Sequence, residues 1–153
     1  MNLYADIILD LWRNPQNFGE MLKPDLEAYE LNPLCGDEIR LQLKLKPLTD
    51  YSLRTTAKNN KRSAKAVDGR RFAVVERAAF TGNGCAISMA AASLLTEFVK
   101  GKKGSDLAKL SEKDVISLLG IEVGPQRIKC AILPLIALKK AISPNGKKAQ
   151  GQN

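Results

Sequence analysis

The sequence predicts an α+β domain, a small antiparallel β-sheet with helices packed on one face. Two observations predict the sheet. "EIRLQLKL" alternates Ile39, Leu41, Leu43 and Leu45 with Arg40, Gln42 and Lys44, the period-2 pattern of a half-buried strand. "RRFAVVERAAF" offers a second strand, in which Val74 and Val75 favour extended backbone. A third observation predicts the helical layer: apolar residues after Cys85 recur at helical spacing and are punctuated by glycine. The expected order is α-β-β-α-α-α, with no internal repeat.

The elements follow in order. "NLYADIILDLW" repeats Leu3, Ile7, Ile8 and Leu11, an amphipathic helix closed by Asn14-Pro15. The two strands form a hairpin whose connection, residues 47–71, is a long polar and basic insertion. In "AISMAAASLLTEFVKGK" the residues Ile87, Ala91, Leu94 and Phe98 share one helical face, and Gly101 stops the helix. Ser111 with Asp114 forms a capping box ahead of "VISLLG", ended by Gly120. "PQRIKCAILPLIALKKAI" is a last helix. Pro134 is expected near its first turn, because an interior proline breaks a helix. The domain therefore spans 1–142, and 143–153, "SPNGKKAQGQN", is a disordered basic tail.

Composition limits the chemistry. The 153 residues suffice for one domain with a real core, and 44% hydrophobic with 26% charged residues is a globular composition. The longest apolar run, Ala86 to Leu95, is interrupted by Ser88 and Ser93, so no membrane span is expected. The start carries Asp6 and Asp10 within its apolar pattern, which does not read as a signal peptide. With three cysteines, the chain is expected in the reducing cytosol, where thiols bind metal or do chemistry. There is no histidine. That removes histidine-paired nucleophiles, histidine acid-base catalysis and His-ligated zinc.

The net charge of +8 is uneven. Between Pro47 and Arg71 seven basic residues face only Asp50 and Asp68, and Lys139, Lys140, Lys147 and Lys148 end the chain without an acid. Such segments suit nucleic acid or an acidic partner, or are simply solvated. Only Tyr51 and Phe72 offer aromatic rings at the loop margins, which argues against a base-stacking surface.

The cysteines fall at element ends. Cys35 lies in the turn "NPLCGDE" before the strand from Ile39, Cys85 follows "GNG" at a strand-to-helix turn, and Cys130 begins the last helix. Helix N-termini stabilise thiolates, which favours Cys85 and Cys130, and Arg127 and Lys129 add positive charge. Asp37, two residues after Cys35, points the same way in an extended segment and offers a fourth ligand. Three thiolates and a carboxylate complete a tetrahedral zinc shell or hold a [2Fe-2S] cluster. Spacing alone leaves a third reading open, three inert half-buried thiols, since no C-x-x-C is present.

"NPLCGDEIRLQLKL", "GNGCAISMAAASLLTEFVKGK" and "RIKCAILPLIALKKAI" closely resemble the three cysteine motifs of the NifU/IscU/SufU family of iron-sulfur cluster assembly proteins. "YADIILDLWRNPQNFG" is similar to that family's N-terminal segment, so the resemblance runs from Tyr4 to Ile142. It implies an α+β fold and sulfur accepted as a persulfide from a pyridoxal-phosphate cysteine desulfurase. It also implies metal or cluster held by Cys35, Asp37, Cys85 and Cys130. Lys129, where IscU-type scaffolds carry histidine, makes the chain resemble the SufU branch. The insertion SufU proteins carry between the second and third cysteines is absent, and the extra residues lie between the first and second.

The expected function is zinc-dependent sulfur transfer with Cys35 as persulfide acceptor, in a protein that is not a stand-alone enzyme. The alternative is a scaffold that builds a [2Fe-2S] cluster and hands it to apo iron-sulfur proteins or downstream carriers. A more distant alternative is a structural zinc module binding nucleic acid.

Overall fold

A computed structural model of the protein describes residues 3–46 and 73–143. The basic segment 47–71 and all but the first residue of the tail 143–153 lie outside the described residues. Three strands, β1 (Leu26–Leu31), β2 (Glu38–Lys46) and β3 (Val74–Asn83), pair antiparallel in the order β1-β2-β3. The helices are α1 (Leu3–Arg13), α2 (Ala86–Val99), the short α3 (Gly104–Leu107), α4 (Glu112–Leu119) and α5 (Ile128–Ile142). No helix among the described residues is long and apolar enough to cross a membrane.

The α+β architecture is as the sequence predicts, with one strand and one short helix more among the described residues. In β2 the alternation holds for Ile39, Leu41 and Leu43, which are buried and lie opposite Gly82, Phe80 and Ala78 of β3, whereas Gln42 is buried too and Leu45 only partly. Leu26 of β1 joins the same layer opposite Leu43. Helix α5 packs on β1 and β2, α2 packs on β3 and α5, and α1 lies against α2. Burial of a side chain such as Leu41 or Phe80 stabilises this layer by about 1.5–3 kcal/mol. β1 escapes a pattern search because only its inner positions Leu26 and Ala28 are apolar and covered, while Tyr29 and Leu31 are exposed.

Two short segments cover the free edge of β3, which would otherwise invite strand pairing. Residues 17–19 lie along Phe80, with Gly19 N–H donating to the Phe80 carbonyl and Phe80 N–H to that of Asn17. Asn17 also ties this segment to α2: its amide donates to Thr96 and Glu97, and its carbonyl oxygen accepts from Lys100. Further along, Val75 N–H donates to Lys102 and Gly101 N–H to Val75.

Two helices depart from their expected faces. In α1 Ile8 and Leu11 are buried, and Leu3 and Ile7 stay exposed. In α2 the expected stripe of Ile87, Ala91, Leu94 and Phe98 is not the most buried one. Ser88, Ala92, Leu95, Thr96 and Val99 are buried, and Phe98 is exposed. The reason is that α2 is enclosed by β3, α1, α4 and α5, so small residues all round it are covered and the period loses meaning.

The capping box of α4 is formed: the Ser111 hydroxyl accepts from Asp114 N–H, and the Asp114 carboxylate accepts from Ser111 N–H at 2.8 Å. Those Ser111 hydrogen bonds hold the Asp114 carboxyl below its usual range. A depressed folded value gives stability that is present above the unfolded pKa and lost as pH falls through the folded one. Ser111→Ala should lower stability by about 1 kcal/mol at neutral pH. The deficit should shrink in acid, when urea denaturation is repeated across the carboxylate range.

Candidate metal centre

The turn between β1 and β2 sets the first two donors. Asn32, itself buried, donates its N–H to the Asp37 carbonyl at 2.8 Å, and its own carbonyl accepts from Gly36 N–H at 2.8 Å. Its side-chain oxygen accepts from Leu34 N–H. Gly36 takes a left-handed φ of 75°, which a side chain would resist. The segment is thus a closed turn, as expected for Cys35, and does not form the extended run expected from Cys35 to Asp37. It leaves Cys35 exposed and turns Asp37 inward, with 5% of its surface exposed.

Strand register supplies the next donor. Glu38 faces Asn83, so the residues just before β2 lie beside those just after β3. A Cβ added to Gly84 would stand 3.2 Å from the Asp37 carboxyl carbon and 2.3 Å from the buried Ser88 hydroxyl. Gly84 therefore leaves the space that the Asp37 carboxylate fills. Cys85 is the N-cap of α2 without using its side chain as a cap, and its carbonyl accepts from Met89 N–H and the Ser88 hydroxyl. The thiol is left free to face the site.

Cys130, third residue of α5, comes down from the helical layer. It is buried, and its Sγ lies 3.6 Å from Cys35 Sγ. Donor atoms of Cys35, Asp37 and Cys130 all lie within 4.8 Å of one another. Cys85 is outside that tight trio but near enough to influence it, lowering the pKa of the Asp37 carboxyl and raising that of the Cys130 thiol. The structure therefore brings together all four residues singled out in the sequence, three of them closely.

The electrostatics of the cluster favour a cation. Burial pushes the Asp37 carboxyl up, but hydrogen bonds from the Cys35, Cys130 and Cys85 thiols and from Cys85 N–H outweigh it. Its pKa falls below the ordinary value, so it stays ionised. Even so, Asp37 Oδ2 is buried without a hydrogen-bond partner. Burial, then the hydrogen bond with Cys35 and the neighbouring Cys85, pushes the Cys130 thiol well above the cysteine range. This differs from the expectation that the α5 N-terminus, helped by Arg127 and Lys129, favours a Cys130 thiolate: burial disfavours the charged form. Arg127 and Lys129 are both exposed at the start of α5, and neither forms an ion pair among the described residues.

These donors fit a thiophilic divalent ion. Zn–S bonds of about 2.3 Å at tetrahedral angles put ligand atoms about 3.8 Å apart, which the Cys35–Cys130 separation already matches. A cation would also satisfy the orphaned Asp37 oxygen and lower the thiol pKa values. Glycines 82 and 84 are site-shaping residues whose importance is visible in "TGNGC" only as a turn signal; their role depends on what the register places opposite them.

The NifU-like N-terminal domain family matches residues 3–55 and 65–151. The chain is 33% identical to the zinc-dependent sulfurtransferase SufU of Bacillus subtilis, over 99% of this chain and 94% of that protein. It is 29% identical to the iron-sulfur cluster assembly scaffold protein IscU of Buchnera aphidicola from Acyrthosiphon pisum, over 95% and 96%. In fold it is similar to a SUF-system assembly scaffold from Fervidobacterium islandicum, at a TM-score of 0.63 and 21% identity over 90% and 95%. It is also similar to a NifU-like N-terminal protein from Brucella abortus, at a TM-score of 0.59 and 18% identity over 92% of each chain.

Proposed function

Because the chain belongs to the family of NifU-like N-terminal domains, we propose that it accepts sulfur for iron-sulfur cluster assembly at a centre built from Cys35, Asp37, Cys85 and Cys130. The observation that carries this reading is one exposed thiol, Cys35, 3.6 Å from the buried Cys130 and beside an ionised carboxylate with an unsatisfied oxygen. The similarity to a zinc-dependent sulfurtransferase supports zinc as the resident ion. Held by these residues, zinc would keep the thiols deprotonated at neutral pH.

Cys35 is the acceptor. Its thiolate attacks the outer sulfur of a persulfide carried by a cysteine desulfurase; a new S–S bond forms at Cys35. The old persulfide bond breaks, and the desulfurase cysteine leaves as a thiolate. The Asn32–Gly36 turn fixes the base from which Cys35 projects. Asp37, Cys85 and Cys130, all less exposed, keep the other ligand positions.

A second reading has the same residues assemble a [2Fe-2S] cluster as cargo for apo-proteins, and the similarity to IscU scaffolds favours it. Purification without oxygen separates the two. Colourless protein with one zinc supports sulfur transfer, and brown protein with iron and sulfide supports the scaffold.

Asp37 has a further expected effect. A carboxylate is the hardest donor in a thiolate set and leaves most readily. Asp37→Ala should therefore slow loss of bound metal or cluster to a chelator. Equal or faster loss in the variant reduces Asp37 to a turn residue.

A further inference from the structure

Pro134 is not in the first turn of α5, where its sequence context predicts it, but inside the helix and buried. It is the seventh residue of a helix that starts at Ile128 and continues to Ile142. An ordinary residue there donates its N–H to the carbonyl four positions back. That carbonyl belongs to Cys130. Proline has no N–H, and its ring crowds the same carbonyl, an arrangement that costs about 3 kcal/mol in a helix interior.

The consequence is local. The turn bearing Cys130 is tied on its near side, where Ala131 N–H donates to the Arg127 carbonyl at 3.0 Å. Its link to the next turn lacks the one bond that Cys130 would accept. Side chains anchor the helix on both sides of the proline: Ala131 and Leu133 before it, and Leu135, Ala137 and Leu138 after it, are buried in the core. Cys130 thus sits on a turn whose neighbours pack in the core but whose backbone lacks one hydrogen bond to the remainder of α5.

We propose that Pro134 is a positioning residue: by removing the helical partner of the Cys130 carbonyl, it loosens the Cys130 turn and speeds release of metal from the centre. The inference rests on the reading of Cys130 as a ligand. A centre that must pass its contents on benefits from one donor whose backbone is spared a helical hydrogen bond. Cys85 has no such freedom, since its carbonyl accepts two hydrogen bonds from α2.

Cobalt(II) is the probe, loaded into the full-length protein and withdrawn by excess EDTA while thiolate-to-cobalt absorption is followed. Pro134→Ala should slow the loss about three- to tenfold, the size expected for one restored backbone hydrogen bond. Amide exchange on metal-free wild-type protein is the second measurement and needs no variant. Ile132 and Leu133 should exchange faster than Ala137 and Leu138, and Pro134→Ala should slow them. Equal cobalt loss in the two proteins, or uniform protection from Ala131 to Leu138 in the wild type, overturns the role of Pro134 alone. Absence of thiolate-to-cobalt absorption in the wild type overturns the ligand reading and this inference with it.

Discussion

Cys35→Ser is expected to abolish sulfur loading by a cysteine desulfurase while leaving the fold intact. Transfer between proteins needs a sulfur that a partner's active site can reach, and Cys35 is the exposed member of the cluster, with Cys85 half-buried and Cys130 buried. A serine hydroxyl does not open a persulfide, so the rate should fall on the order of a hundredfold or more. Stability should change by less than about 0.5 kcal/mol, as for other exposed substitutions. The turn is held by Asn32 and Gly36 backbone contacts that the substitution does not touch. Mass spectrometry after reaction with desulfurase and free cysteine should find added sulfur first on Cys35 in the wild type. Label on Cys130, with Cys35→Ser still loaded, would mean that accessibility does not decide the acceptor.

Gly82→Ala is expected to be the most damaging single methyl in the sheet. Gly82 adopts a φ of 154°, and a Cβ there would stand 2.1 Å from the Glu38 carbonyl oxygen and 3.1 Å from Ile39 Cα. Both are backbone atoms of β2, so no rotamer change relieves the contact. The strands must separate where Ile39 pairs with Gly82 and Glu38 with Asn83. Backbone strain and overpacking together should cost about 3–5 kcal/mol, a large part of a typical stability of about 5–15 kcal/mol. The thermal midpoint should drop by roughly 10 °C. Any folded variant should also bind metal weakly, because the same strand ends place Asp37 beside Gly84 and Cys85. A midpoint within a degree or two of wild type would mean that β2 and β3 are not paired here as described.

Much of this arrangement was legible in the sequence, and the failures have physical causes. The alternation of Ile39, Leu41 and Leu43 reports burial of one face directly, so β2 and its direction follow from the residues. β1 does not announce itself, because Tyr29 and Leu31 lie on an exposed face and blur the period. Pro134 defeats a local rule, since tertiary burial among Leu133, Leu135 and Leu138 outweighs the lost hydrogen bond. The four candidate ligands could be named from motifs, yet their meeting depends on long-range register. Asp37 reaches Cys85 through the Glu38–Asn83 pairing, and Cys130 arrives only when α5 packs on β1 and β2. The high pKa of Cys130 likewise follows from burial that its neighbours in sequence do not reveal.

X-ray absorption at the zinc edge on the zinc-loaded protein tests the shared centre most directly. Three sulfurs at about 2.3 Å and one oxygen at about 2.0 Å are expected. Cys35→Ser, Cys85→Ser and Cys130→Ser should each remove one sulfur from the shell. A zinc shell of oxygen and nitrogen alone, or one that keeps three sulfurs in any of those variants, would contradict a single centre formed by Cys35, Asp37, Cys85 and Cys130.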